Sequence, residues 1–240
     1  MTPLSKRTIW ITGASSGIGH ALALEFGGRG NTVVLSGRNE SSLKDLESTI
    51  RNHGGIATVV VCDVRDEQSV NDAVRLIQNE CGIPDALVNN AGISIFKDFL
   101  DTKVQEFDDI LRTNLRGAFL TTRAVLPAMI KREKGLILNV VSYAAKTSYT
   151  QSSAYAASKA GLAAMMEGLR EEVRQKNIKI VNVFPGAVLT PIWHPKVQDK
   201  YGDRMMTPSD LSRMIYEISC QPASMMIEDV VIRPQWGDIN

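Results

Sequence analysis

The stretch TGASSGIG, residues 12–19, follows the apolar run TIWI and precedes a segment, IGHALALEFGGRG, in which Ile18, Leu22 and Phe26 fall on one helical face. Strand, glycine-rich turn and helix in that order describe the first crossover of a parallel sheet. Gly13, Gly17 and Gly19 leave almost no side chain between strand and helix. Glycine permits a positive φ and lets another group come close to the backbone. The helix that follows presents unpaired N–H groups and a partial positive charge. Together these features can cradle a phosphate, and Ser15 and Ser16 add hydroxyl donors. The spacing departs from the one-three-six glycine fingerprint of dinucleotide sites. Read alone, the motif serves either a tight turn or a phosphate.

Outward from this turn, short apolar runs alternate with longer amphipathic segments. Strands are expected at 8–12, 32–37, 56–64, 85–90, 135–142, 178–186 and 230–234. Helices are expected at 18–30, 40–55, 67–81, 102–131, 153–175 and 209–220. Buried strands alternating with helices predict an α/β protein: a single Rossmann-like, doubly wound parallel sheet of about seven strands with helices on both faces. No repeat or linker interrupts the pattern, so one domain over 1–240 is expected.

Of 240 residues, 27 are basic and 26 acidic, a formal net charge of +1. That balance offers no electrostatic reason for a nucleic-acid or anionic-membrane partner. The basic patch IKREKG reads as a solvated helix end. Apolar residues make up 44%, enough for a sizeable core. Cys62, Cys81 and Cys220 lack metal-ligand spacing, so no metal is expected, and reduced thiols fit a cytoplasmic protein. No apolar run approaches the roughly 20 residues needed to span a bilayer. No charged leader followed by an apolar stretch opens the chain, so a secretory signal is not expected.

The second strand ends LSGRNE. Gly37 stands where dinucleotide sites for a free 2′-hydroxyl place an acid, and Arg38 follows. A guanidinium suits a 2′-phosphate, which favours NADP(H) over NAD(H); the plain alternative is a solvent-exposed arginine. Within YAASK, Tyr155 and Lys159 share a helical face. A nearby ammonium is expected to lower a phenol's pKa and fit it for proton transfer; an ordinary surface pair is the alternative. Ser142 ends the fifth strand, in the crevice where open α/β sheets bind ligands. Asn89, Asn90 and Gly92 of VNNAG end the fourth strand in that crevice. Asn114 interrupts a long helical stretch, marking either a local distortion that holds water or a helix junction.

With TGASSGIG, CDV, NNAG, Asn114, Ser142, YAASK and PGAVLT in order, the chain resembles the classical short-chain dehydrogenases/reductases. The resemblance implies hydride transfer between a nicotinamide and a carbonyl or alcohol substrate. It implies Tyr155 as acid or base, Lys159 as the group that lowers its pKa and binds the nicotinamide ribose, Ser142 as the polariser of the substrate oxygen, and Asn114 as holder of a relay water. It implies a cofactor site of Gly13, Ser15, Ser16, Gly17, Ile18 and Gly19 at the pyrophosphate, and Arg38 at the 2′-phosphate. Asp63 and Val64 would bracket the adenine, with Asn90, Ala91 and Gly92 beside its ribose. Pro185, Gly186, Val188 and Thr190 would cup the nicotinamide. A homodimer or homotetramer through the long helices and last strand is likewise implied.

A substrate lid is expected at about 188–208, where family members place one. Trp193, Tyr201, Met205 and Met206 either line the pocket or pack beneath the loop; His194 reads as a surface residue. Ile93, Ile95 and Phe96 after the fourth strand, and Tyr149 before the sixth helix, are further candidates for the pocket wall. The ending EDVVIRPQWGDIN lacks the glycine pair of ketoacyl-carrier-protein reductases and resembles the branch of hydroxy-acid dehydrogenases and carbonyl reductases. A nucleotide-sensing regulator on the same fold is the alternative function. A hydrolase would need a Gly-x-Ser-x-Gly elbow with acid and histidine partners in workable order, and that set does not appear.

Overall fold

A computed structural model of the chain describes residues 6–147 and 149–239. All seven strands lie in one parallel sheet: β1 (Thr8–Thr12), β2 (Thr32–Ser36), β3 (Ile56–Val59), β4 (Ala86–Asn89), β5 (Gly135–Val140), β6 (Ile178–Pro185) and β7 (Asp229–Ile232). Their order is β3-β2-β1-β4-β5-β6-β7. The order reverses between β1 and β4, where the loops leaving neighbouring strands diverge to opposite faces and open a crevice.

Alternation along each strand serves two cores at once. Ile9 and Ile11 point to one face, under α1 (Gly17–Gly28), α2 (Glu40–Asn52) and α8 (Pro208–Ser219). Trp10 points to the other, under α3 (Glu67–Cys81), α5 (Gly117–Lys131) and α6 (Ser153–Val173). Fully apolar strands with no polar face are what a sheet covered on both sides requires.

The long helical stretch expected at 102–131 is broken. It begins as α4 (Val104–Leu111), widens into a π-helical turn over Arg112–Arg116, and resumes as α5. Asn114 sits in the wide turn. The lid region contains a helix, α7 (Pro195–Tyr201), which the polar sequence PKVQDKY did not announce. Pro195 at its first position, and His194 accepting from the Lys196 N–H, start it.

One polar layer crosses the core. Asn89, Asn139 and Asn182 are in register on β4, β5 and β6, and Asp229 continues the row on β7. Each asparagine amide donates to the next carbonyl oxygen: Asn89 to Asn139 at 2.9 Å, and Asn139 to Asn182 at 3.1 Å. Asn182 reaches Asp229 at 3.4 Å. Thr121 and Thr122 of α5 close one end on Asn89. Arg170 of α6 closes the other on Asp229 at 3.0 Å. The three asparagines are buried. Asn139→Leu strands the Asn182 oxygen and removes one acceptor from Asn89, with an expected cost of roughly 3 kcal/mol and a melting point lower by about 5–10 °C in calorimetry. A shift under about 2 °C would show that the row carries no net stability.

Candidate active site

A cavity of about 480 Å³ runs along the carboxyl ends of the strands, from Arg38 and Asp63 at one end to Tyr155 and Trp193 at the other. That volume falls within the range of small-molecule sites.

The β1–α1 turn forms its floor. Gly13 has φ +66° and Gly17 has φ +56°, conformations that side chains rarely adopt. Ser16 precedes α1 without a side-chain cap, and the first turn holds no acid, so the helix N–H groups there are open to an external anion. Gly13, Ser15, Ser16, Gly17 and Ile18 line the cavity. Gly19 does not; it is required for packing. A Cβ there would lie 2.3 Å from the Gly13 oxygen and 2.4 Å from Asn90 Nδ2. Asn90 ties this loop to β4: its Nδ2 donates to the carbonyl oxygens of Thr12 and Gly13, and its N–H to Thr12 Oγ1. Ala91 and Gly92 continue the wall.

At the Arg38 end, no carboxylate within salt-bridge distance pairs with the guanidinium among the described residues. Asp63 is held below the usual carboxylate range, first by Arg65, which grips both its oxygens at 2.7–3.1 Å, with Arg38 adding a smaller pull. Arg65 also lines the cavity. It was not singled out from sequence, because only the fold swings it back over Asp63. Val64 and Cys62 complete this end; burial pushes the Cys62 thiol up to about 11.

At the other end, Ser142, Tyr155 and Lys159 converge. Ser142 Oγ accepts from the Ala144 N–H at 3.1 Å, which holds the side chain at the end of β5. Lys159 is buried; its Nζ donates to the Val140 oxygen at 2.8 Å and lies 5.9 Å from the Tyr155 ring centroid. Burial lowers the ammonium to about 8. Burial raises the Tyr155 phenol, and a hydrogen bond with Ser142 pulls against the rise. The expected depression of the phenol by Lys159 is therefore not met in the chain itself. Desolvation acts on both groups and favours the neutral form of each. A protonated phenol is the result near neutral pH.

Asn114 lies just behind this end rather than on the cavity surface. Its amide donates to the Ile93 oxygen at 2.9 Å and to Ser158 Oγ at 3.0 Å, and its carbonyl accepts from the Ile93 N–H at 2.8 Å. A Cβ on Gly92 would stand 3.3 Å from Asn114 Oδ1 and 3.5 Å from Lys159 Nζ, so a side chain there would crowd both groups.

Pro185, Val188, Thr190, Ile93 and Trp193 line the Tyr155 end, joined by Ser94 and Ile192. Besides Gly19 and Asn114, the candidates Ile95, Phe96, Tyr201 and Met205 are not lining residues, and three more are held elsewhere. Gly186 packs against the C-terminal segment, where a Cβ would meet Pro234 at 2.9 Å. Met206 bridges to Val188 and packs on the α1/α8 core. Tyr149 is raised by burial and by a hydrogen bond with Asp238 outside the cavity lining. A bent tail, unreadable from local pattern, captures the first and last of these. Among the described residues no cluster of metal-ligating side chains occurs, and no helix is long and apolar enough to cross a membrane.

Fold and cavity together define a dinucleotide-dependent oxidoreductase scaffold, and comparison with known proteins makes the assignment specific. The short chain dehydrogenase family model matches residues 7–201. The chain belongs to that family. It is 34% identical to sepiapterin reductase of Chlorobaculum tepidum, over 98% of this chain and 99% of that protein. A metagenomic short-chain oxidoreductase in complex with NADP superposes with a TM-score of 0.86 at 32% identity, covering 98% and 99% of the two chains. The closed form of serine dehydrogenase complexed with NADP+ superposes at 0.87 and 26% identity, covering 94% of each.

The electrostatics of the buried pair have a measurable consequence. Lys159, depressed from 10.5 to about 8, is neutral when folded but takes a proton when unfolded between those values. The unfolded state then binds more protons, so its contribution to stability rises with pH across that window. The raised Tyr155 acts in the opposite sense only above its ordinary value near 10. Relative to Lys159→Met, the unfolding free energy of the wild type is expected to climb by on the order of 2 kcal/mol from pH 8 to 10. Denaturant titrations at several pH values measure it, and parallel curves would refute a depressed ammonium.

Proposed function

We propose that the chain is an NADP(H)-dependent carbonyl reductase or alcohol dehydrogenase in which Tyr155 exchanges the proton. The observation that carries this reading is the convergence of Ser142, Tyr155 and Lys159 at one end of a cavity whose other end holds an unpaired Arg38. Positive-φ glycines, an uncapped helix and a wall kept clear at Gly92 fit a dinucleotide. When bound, that cofactor supplies the hydride to the substrate carbon. The chain does the rest. Ser142 and Tyr155 hold the substrate oxygen, and the phenol, kept protonated by burial, delivers its proton as negative charge grows there. Reduction is the direction this protonation state serves. Lys159 binds the nicotinamide ribose, and Asn114 organises the polar layer behind it through which the proton is replaced.

Gly13, Ser15, Ser16, Gly17 and Ile18 receive the pyrophosphate, Asp63 and Val64 the adenine, Asn90 and Ala91 its ribose, and Pro185, Val188 and Thr190 the nicotinamide. Residues 188–208 form the lid. One domain, 1–240, carries the whole site. NADP(H) is favoured over NAD(H) because Arg38, just after β2, follows Gly37 rather than an acid and has no salt-bridge partner among the described residues. Free cysteines accord with a cytoplasmic setting. The exposed apolar residues Phe99 and Leu100 in the turn before α4, Val104 of α4 and Phe119 of α5 suit a homo-oligomer.

Tyr155→Phe is expected to lower NADPH-driven carbonyl reduction at least about a thousandfold while NADPH binding by fluorescence stays within about twofold. Near-normal turnover would overturn the role. Arg38→Ala is expected to lower the ratio of kcat/KM for NADPH over NADH by about tenfold or more; an unchanged ratio would remove Arg38 from cofactor selection.

A further inference from the structure

The substrate end of the cavity differs in chemistry from the cofactor end. Among the described residues, the charged side chains lining the cavity are Arg38, Asp63 and Arg65 at the far end, and the buried Lys159. Three cations of neighbouring segments are committed elsewhere. Lys97, next to Phe96, pairs with Glu106 at 2.5 Å. Lys146 lies over the Phe184 ring and pairs with Asp229, and Arg233 lies over Tyr143 and pairs with Asp238 at 2.9 Å. A substrate carboxylate placed beside Tyr155 would be desolvated with only Lys159, already held by the Val140 carbonyl, as a counter-ion.

What the substrate end offers instead is aromatic. Trp193 lines it, and Phe96, which is not a lining residue, stacks on the indole with centroids 5.5 Å apart and planes 8° from parallel. Phe96 also meets the Tyr155 ring edge-on at 6.0 Å. Trp193 Nε1 donates to the Val188 oxygen at 2.9 Å, and Gln198 donates to the Trp193 oxygen at 2.8 Å, so the indole is held in place. In the same wall, Ser94 Oγ is buried and has no hydrogen-bond partner among the described residues. An unpartnered buried hydroxyl is costly, and a polar atom entering the wall relieves it.

Resting on the reductase reading above, we infer that the substrate is an uncharged carbonyl compound bearing a planar aromatic group, which stacks on Trp193, itself braced by Phe96, with a second oxygen next to the reacting carbon for Ser94. The reaction is the balanced one already described: hydride and its electron pair to the carbonyl carbon, proton from Tyr155 to the oxygen, and oxidised dinucleotide released. Aromatic stacking orients the ring, Ser142 and Tyr155 take the reacting oxygen, and Ser94 takes its neighbour. Anionic hydroxy and keto acids are disfavoured because the cavity lining offers them no cation at this end beyond the buried Lys159.

Three compounds separate these features: ethyl benzoylformate, its anion benzoylformate, and ethyl pyruvate, each assayed with NADPH on the full chain. Ethyl benzoylformate is expected to exceed each of the others in kcat/KM by about tenfold or more. Trp193→Ala should reduce the aromatic-to-aliphatic ratio by about tenfold, while Trp193→Phe should keep it within about threefold. Ser94→Ala should reduce the preference for ethyl benzoylformate over acetophenone, which lacks the second oxygen, by about fivefold. Benzoylformate turned over as well as its ester, or an aromatic ratio unmoved by Trp193→Ala, overturns the inference and leaves the reductase reading standing. No turnover of any carbonyl compound sinks both.

Discussion

The site depends on four strands keeping one register. Asn89, Asn139, Asn182 and Asp229 form a directional hydrogen-bonded row across β4 to β7, its three asparagines buried and its ends tied to α5 and α6. One layer deeper, Leu87, Ile137 and Ile180 are in register on the same face and would tolerate a slip. Amides tolerate none, because a buried donor that loses its acceptor keeps its desolvation cost. The row lies within three residues of the functional ends: Asn90 follows Asn89, Ser142 lies three beyond Asn139, and Pro185 lies three beyond Asn182. A sheet locked there presents its loops in one geometry.

The loops are then tied laterally. Asn90 binds the glycine turn of β1, and Gly19 is small so that α1 can start against it. Asn114 uses the wide π-helical turn to reach the backbone of Ile93 and thus pins the segment after β4. Gly92 lets Asn114 and Lys159 share one polar layer without contact from a side chain. Two asparagines therefore do similar work from opposite sides of the crevice: each satisfies backbone groups that a loop leaves exposed.

Burial is what sets the chemistry. Neutral forms of both Tyr155 and Lys159 are favoured because each has left water without a fixed counter-charge at contact distance. A lysine lowered to about 8 sits near the working range of a cell and can gain or lose its proton in response to what binds beside it. Simple pairing of ammonium and phenol, inferred from four-residue spacing, neglected that shared desolvation.

The alternation of apolar strands and amphipathic helices was legible in the sequence because each period is local: side chains alternate along a strand and recur each turn along a helix. So were the glycine turn, Arg38, Ser142, Tyr155 and Lys159, whose meaning rests on neighbours in the chain. The asparagine row left a faint trace, one polar residue near the end of each of three apolar strands, but nothing local says that those three are in register. Arg65 folding back on Asp63, the stacking of Phe96 on Trp193, the orphaned Ser94 hydroxyl and the tail that claims Gly186 and Tyr149 required the tertiary structure. Each joins segments far apart in the chain or turned by a loop, and only packing decides which of many permitted contacts is made.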